Sequence, residues 1–231
     1  MGYAPIIFDG IAVESVKELK LLGVMIDSQL LHSSQIQSLT LGARKRIGLL
    51  RRTAKVLNGN GRAIVYKAFV RPRMEYAHLT WMGAADSHLW KLDAVQNAAV
   101  AIIGPDVAAL DSLNHRRKVG ALTYMYKLQS WDVPPHLQRM IPPRMPQAAR
   151  GRTRASIDAH QKWHGAMLSN PLPLRSTDNA RRAFPYGILK DWNQLPADFF
   201  SDEFRLENVP KFKSKVNQFL KQPSQFPAIP H

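Results

Sequence analysis

The sequence contains no cysteine. Disulfide frameworks, thiolate zinc sites, zinc knuckles and cysteine nucleophiles are therefore excluded together. A chain without a disulfide framework is most simply placed inside the cell, and we expect it in the nucleus or the cytoplasm.

Long apolar runs are also missing. A membrane-spanning helix needs roughly 20 apolar residues, and the longest candidate here, 98–103, is a short stretch. The N-terminus has no basic segment followed by an apolar block, so no secretory signal is predicted. Met1-Gly2 resembles a myristoylation signal, but position 6 is Ile rather than Ser or Thr. We expect no membrane partner.

Acidic residues are few, with 17 Asp and Glu against 32 Lys and Arg. A metal-dependent polymerase or nuclease needs carboxylates close together, because they hold two divalent ions a few ångströms apart. The sequence has no Asp-Asp pair, and Asp9, Asp27 and Asp86 fit turn or cap positions. We therefore predict no catalytic residue, no metal site and no cofactor in this chain.

Other catalytic patterns are incomplete. His160 and His164 have the spacing of a helical metal pair, but no third ligand is near them in the sequence. The segment 59–61 reads Gly-Asn-Gly and lacks the Lys-Ser/Thr of a phosphate-binding loop, so it is interpreted as a turn. None of these patterns supports a self-sufficient enzyme.

The excess of basic residues gives a formal net charge of +15. Such an excess favours a polyanionic partner, most often nucleic acid, over a charge that serves only solubility. The charge is also clustered. Ten basic residues and one acidic residue lie between Leu41 and Glu75, and nine basic residues accompany two acidic ones between Arg139 and Arg182.

The periodicity predicts a mainly α fold with a small N-terminal β element. Asp9-Gly10 fits the turn of a hairpin over 6–13, and 19–26 fits a third strand. One helix is predicted from Ser33, with an apolar face at Ile36, Leu39, Ala43, Ile47 and Leu50. A second carries the apolar residues Ile64, Val65, Ala68 and Phe69, and Pro72 should kink or end it. Further helices are predicted at 86–103, at 184–192 and at 209–220, and one or two at 110–129.

The segment 142–173 is rich in Pro, Arg, Gln and Ser and has little periodicity. We interpret it as a long basic connection that a partner would order. Five tryptophans offer possible stacking surfaces for bases, although four of the five are expected in the core. They are Trp81, Trp90, Trp131, Trp163 and Trp192.

Several blocks then carry a family resemblance. The segment 20–27 reads KLLGVMID and resembles the K-Y-L-G-V-x-I-D block of LINE-type reverse transcriptases of Jockey-like and related animal clades of non-LTR retrotransposons. The segment 43–52 is similar to the first thumb helix of these enzymes. The segment 66–81 resembles their LYKSYVRPxLEYAxxVW block, and 92–97 their LDxVQNRALRxI block, although Ala98 and Ala101 stand where basic residues are common. Shorter similarities follow in order to Leu220.

The resemblance implies a fragment of an RNA-directed DNA polymerase. Its catalytic aspartates and Mg²⁺ belong to a palm that this chain lacks, and Leu22 and Gly23 correspond to the primer grip. The implied divisions are a β remnant of the palm and primer grip (1–30), a thumb-like helical domain (31–131), a basic connection (132–183), a C-terminal helical unit (184–222) and a loose tail (223–231). The implied partners are RNA, DNA or an RNA–DNA hybrid, and a separate palm and fingers polypeptide.

Ten basic residues are the predicted phosphate contacts, because a thumb holds its duplex by the backbone. Two alternatives stay open, a domesticated nucleic-acid-binding protein and a relic or protein-interaction piece. The predicted contacts are Arg44, Lys45, Arg51, Arg52 and Lys55 first, Arg71 and Arg73 next, and then Arg116, Arg117 and Lys118.

Overall fold

The structure is a computed structural model, and it describes residues 6–105, 110–130, 133–145, 166–173, 176–201 and 203–221. Its first element is an antiparallel hairpin of β1 (Ile6–Phe8) and β2 (Ile11–Val13). Asp9 and Gly10 form the turn with φ angles of 48° and 74°, as the two positive angles of a type I′ turn require. The predicted first hairpin is confirmed.

A second hairpin pairs β3 (Glu18–Leu21) with β4 (Val24–Asp27). The apolar run 19–26 had predicted one strand here, and that prediction is wrong, whereas the resemblance of 20–27 to the primer-grip block had implied a hairpin. Leu22 and Gly23 turn the chain with φ angles of 48° and 84°. Leucine is not a residue that favours positive φ, so the local sequence carried only half of the usual turn signal.

Helix α1 (Ser33–Thr53) follows the second hairpin and buries the apolar face that its periodicity predicts. Asp27 shapes the approach to this helix, since its carboxylate accepts hydrogen bonds from the backbone N–H groups of Gln29, Leu31 and His32 at 2.7–3.1 Å. Partial burial raises the pKa of Asp27, but the three N–H donors outweigh it and hold the pKa below its ordinary value.

Helix α2 (Gly59–Val65) continues through a π-helical turn (Tyr66–Val70) into α3 (Arg71–Glu75). The predicted turn at 59–61 instead begins this helix, because the Asn58 side chain accepts from the Gly61 N–H at 2.8 Å. Pro72 lies in the first turn of α3, and the helical run continues past it.

The inward face of this helical run also differs from the prediction. The structure buries Ala63, Tyr66, Val70 and Met74, whereas Ile64 is 66% exposed. Tyr66 can be buried because its hydroxyl lies 3.2 Å from Gln96 Oε1, a partner 30 residues away that local periodicity cannot reveal.

Two hydrophobic clusters hold the helices. The first joins α1, the run from α2 to α3, α4 (His78–Trp81) and α5 (Asp86–Ile103). The second joins α6 (Leu113–Leu128) to the segment 166–168, α9 (Leu189–Asn193) and α10 (Val209–Phe219). Helix α6 contributes to both, with Leu113 in the first and its later residues in the second. The mainly helical prediction is confirmed, and the predicted domain boundaries stay predictions.

Short elements complete the C-terminal half. They are α7 (Pro135–Gln138), α8 (Asp178–Arg182) and 3₁₀ turns at Tyr186–Ile188, Ala197–Phe200 and Leu206–Asn208. The predicted helix at 184–192 becomes one of these turns followed by α9, whereas α10 matches its prediction, with Phe212 and Val216 buried.

The basic connection is described only at its two ends. There, Met145 N–H donates to the carbonyl of Met167 at 2.9 Å, and the Trp192 indole donates to the carbonyl of Ala166 at 2.9 Å. His160, His164 and five of the nine cations counted between 139 and 182 lie outside the described residues. No described helix is both long enough and apolar enough to cross a membrane.

Candidate nucleic-acid interface

The outer face of α1 carries a set of exposed cations. Arg44 and Arg51, like Lys45 and Arg52, are seven residues apart, so each pair spans two turns and about 10.5 Å of helix. Lys55 extends the row just beyond the end of the helix. All five side chains are exposed, and no carboxylate of a described residue pairs with any of them. We call these five residues the α1 face.

A second basic surface lies where α1 meets the run from the π turn to α3. Arg73 crosses α1 at Gly42, where an added Cβ would come within 2.7 Å of Nε, and its Nη2 donates to Ser38 Oγ at 3.3 Å. Farther along α1, the Arg46 guanidinium lies 5.1 Å from the centroid of the Phe69 ring, within cation–π distance.

The same surface continues to the second hairpin. The Tyr76 hydroxyl donates to the carbonyl of Leu22 at 2.8 Å, and an added Cβ on Gly23 would lie 3.4 Å from the Tyr76 ring. Tyr76 thus fixes the Leu22-Gly23 turn against the helices. A cleft of about 280 Å³ opens beside it, lined by Lys20, Gly23, Met25, Ser38, Arg73 and Tyr76. We call Lys20, Arg46, Phe69, Arg73 and Tyr76 together the α1–α3 seam.

Arg71 and Arg116 share one carboxylate. Arg71 Nε lies 3.0 Å from Glu75 Oε2, and Arg116 Nε contacts Glu75 Oε1. Arg116 also donates to the carbonyl of Asp111 and, at 2.8 Å, to Gln96 Oε1. Its side chain is only 10% exposed, so its guanidinium serves mainly to link α3, α5 and α6.

Arg117 and Lys118 also face partners within the protein. Arg117 is buried, and its Nη2 lies 4.0 Å from Asp93 Oδ1. Burial lowers the pKa of Arg117 from its ordinary value. Lys118 Nζ lies 2.9 Å from Asp191 Oδ1 and joins α6 to α9. These contacts leave the basic run of α6 far less available to a ligand than the α1 face.

Sequence reasoning missed part of the seam. Arg46 and Lys20 were not chosen as contacts, and Phe69 was noted only as an apolar residue of the second predicted helix, whereas it is 44% exposed. The signal that could have found them is the antiparallel pairing of α1 with the run from α2 to α3, which follows from their short connection. Arg62, another of the ten clustered cations, donates to the carbonyls of Ala54, Leu57 and Ile102 at 2.9–3.1 Å.

Three of the five tryptophans lie among the described residues, and they differ in exposure. Trp81 and Trp192 are fully buried, and Trp90 is 58% exposed on α5. Trp131 and Trp163 lie outside the described residues. Among the described tryptophans, only Trp90 offers a base a sizeable open surface.

Two histidines whose pKa values are shifted by burial, His32 and His78, belong neither to the α1 face nor to the seam. Burial lowers the pKa of His78 and of His32 from the ordinary value. The His78 Nε2 atom, close to Gly120, has no hydrogen-bond partner among the described residues. Nor does any group of three or more His, Asp or Glu side chains come together in the described part of the chain to hold a metal ion.

Comparison with known proteins gives one coarse relationship. No protein-family model matches the chain, and neither does any solved structure. A probable RNA-directed DNA polymerase from the transposon X-element of Drosophila melanogaster is 26% identical over 103 residues. That alignment covers 43% of this chain but 11% of the relative. The chain is therefore distantly similar to a retrotransposon RNA-directed DNA polymerase.

Proposed function

We propose that the chain binds template–primer nucleic acid as a non-catalytic part of a retrotransposon reverse transcriptase, through the α1 face. The observation that carries this proposal is the row of five exposed cations on and just beyond α1, with no carboxylate partner among the described residues. The distant similarity to an RNA-directed DNA polymerase supports nucleic acid as the polyanion.

A rigid helix is suited to this task. Cations held along about 12 Å of helix, from Arg44 to Arg52, can follow phosphates without reading base edges. Binding of this kind neutralises phosphates and releases counterions, so its affinity falls steeply with salt. An RNA–DNA hybrid is the expected ligand, because reverse transcription produces it.

In this proposal the Leu22-Gly23 turn is the primer-grip element. Tyr76 holds the turn beside the helices, which would place the primer strand next to α1. Polymerisation itself needs carboxylates that hold two divalent ions. We assign the Mg²⁺ and the chemistry to a palm and fingers outside these residues, on a separate polypeptide or another part of the polymerase.

The test is a salt titration of binding between the purified chain and a labelled RNA–DNA hybrid, with Arg51→Ala/Arg52→Ala in parallel. We expect steeply salt-dependent binding, and a slope of log affinity against log salt that falls by about two in the double variant. The matched control is Lys190→Ala/Lys213→Ala, which removes the same charge from exposed positions on α9 and α10.

The control separates a site from a general charge effect. If both double variants change the slope equally, net charge attracts the hybrid and the α1 face has no special role. Weak binding with an unchanged slope in the arginine variant would mean that α1 presents only a solvated face.

A second candidate function is association with another polypeptide. Every residue of β1 and β2 is exposed, including Ile6 at 73%, Phe8 at 75% and Ile11 at 72%. A two-stranded ribbon with apolar side chains and open edges readily pairs with a further strand. Concentration-dependent light scattering that Ile7→Lys abolishes would support this function.

A further inference from the structure

The α1–α3 seam brings cations and aromatic rings together from three elements. Helix α1 and the run from the π turn to α3 are antiparallel, since Ser38 and Gly42 meet Arg73 while Arg46 meets Phe69. Lys20 and the tip of the second hairpin close one end of the line at Tyr76. Tyr76, Arg73 and Phe69 therefore follow one another along a single surface.

The aromatic rings of the seam are open to solvent. Phe69 is 44% exposed and Tyr76 is 48% exposed. About four residues, or ~6 Å of helix, separate Phe69 from Arg73, so a cation lies between the two rings. The π turn that contains Phe69 is a feature often found at functional sites.

The charge of the seam has one sign. Lys20, Arg46 and Arg73 make no ion pair with a described carboxylate. Glu75, which lies between Arg73 and Tyr76 in the sequence, contacts Arg71 and Arg116 instead. The surface thus combines cations without an acidic partner and partly exposed aromatic rings.

We propose that the seam binds a single-stranded nucleic acid, which stacks bases on Phe69 and Tyr76 and places phosphates against Lys20, Arg46 and Arg73. A positively charged track with interleaved aromatic rings is the usual way in which proteins hold unpaired strands. In a duplex the base faces are already stacked within the helix, so only an unpaired base can use these rings. This inference rests on the proposed nucleic-acid-binding function, but it names a different surface and a different substrate from the α1 face.

The central experiment changes the ring without changing the charge. The full chain with Phe69→Leu is titrated against a labelled single-stranded oligonucleotide and against the RNA–DNA hybrid. Loss of one stacked base should weaken single-strand binding roughly 5- to 150-fold, with an unchanged salt slope, and should leave hybrid binding as in the wild type. The matched control is Trp90→Leu, which removes an exposed ring from α5, outside the seam.

A second variant tests the cations. Arg46→Gln should lower the salt slope of single-strand binding by about 0.7, the value of one phosphate contact on a single strand. Thermal melting of each variant checks the fold, and Phe69→Leu should melt near the wild type because the ring is nearly half exposed.

Each outcome decides between the two proposals. If the hybrid binds through the α1 face but Phe69→Leu leaves single-strand affinity unchanged, the seam inference fails and the proposed function stands. The seam inference fails likewise if Trp90→Leu alone weakens binding, or if Phe69→Leu weakens both ligands equally. If the wild-type chain binds neither ligand, both proposals fail.

Discussion

Two basic runs of similar sequence have opposite surroundings in this protein. On α1, Arg44, Lys45, Arg51 and Arg52 point into solvent and meet no carboxylate of a described residue. On α6, the run 116–118 meets Glu75, Asp93 and Asp191 from three other elements. The same residue types therefore serve as a candidate ligand surface in one helix and as internal links in the other.

Helices α1 and α6 differ in the acidic residues around them rather than in their own basic residues. Helix α1 contains no acidic residue, and no described carboxylate forms an ion pair with its exposed cations. The acids that meet α6 are 24 to 73 residues distant in the sequence, by the numbering of each pair. A count of local charge cannot tell such a run from a free one.

The strongest way to break this comparison is Arg116→Met. The change removes the guanidinium from Glu75 and Gln96 while keeping much of the side-chain volume. Because several buried groups lose their partner, we expect the free energy of unfolding to fall by about 2–4 kcal/mol, as measured by urea denaturation.

Arg52→Met is the control for that variant. An exposed cation without a partner should change stability by no more than about 0.5 kcal/mol. The folded Arg116→Met protein should keep the wild-type salt slope on the RNA–DNA hybrid. Equal losses of stability in the two variants would mean that α1 and α6 do not differ as described.

Much of the fold could be predicted from the sequence. The apolar positions of α1 and α10 recur at helical spacing, and burial follows that spacing in both. The Asp9-Gly10 turn could also be predicted, because both residues tolerate positive φ. The turn at Leu22-Gly23 could not be predicted from turn chemistry, because leucine rarely adopts a positive φ.

The site was harder to predict because its features depend on contacts between distant residues. Tyr66 lies in the core, where its hydroxyl meets Gln96, whereas Ile64 and Phe69 are exposed. The Phe69 ring lies beside Arg46. The phosphate contact predicted for Arg116 stays a prediction, and its guanidinium meets Glu75 from another helix. Local periodicity describes neither event.

A smaller effect is expected from Lys118→Met. Its Nζ lies 2.9 Å from Asp191, but the side chain is 37% exposed, so solvent screens the pair. We expect a loss of about 0.5–1 kcal/mol in urea denaturation and no change in the salt slope on the hybrid. A slope that falls by about 0.9 would show that Lys118 contacts a phosphate after all.

The smallest change in stability is expected from Gly42→Ala, which changes the α1 position that Arg73 of the seam contacts. A helical alanine is favoured over glycine by about 1 kcal/mol. Here, however, the new Cβ would lie 2.7 Å from Arg73 Nε and would push that flexible side chain aside. The two effects oppose each other, so thermal melting should shift little.

In the Gly42→Ala variant, single-strand binding should change more clearly than stability. With Arg73 displaced, the salt slope for single-stranded DNA should fall by about 0.7. Gly48→Ala is the matched variant on the same helix, because an added Cβ there meets no atom within 4 Å. It should raise stability by up to about 1 kcal/mol and leave single-strand binding unchanged. If Gly42→Ala behaves in the same way as Gly48→Ala, the position of Arg73 over α1 does not matter for binding. Arg73 would then no longer be assigned to the binding surface of the seam.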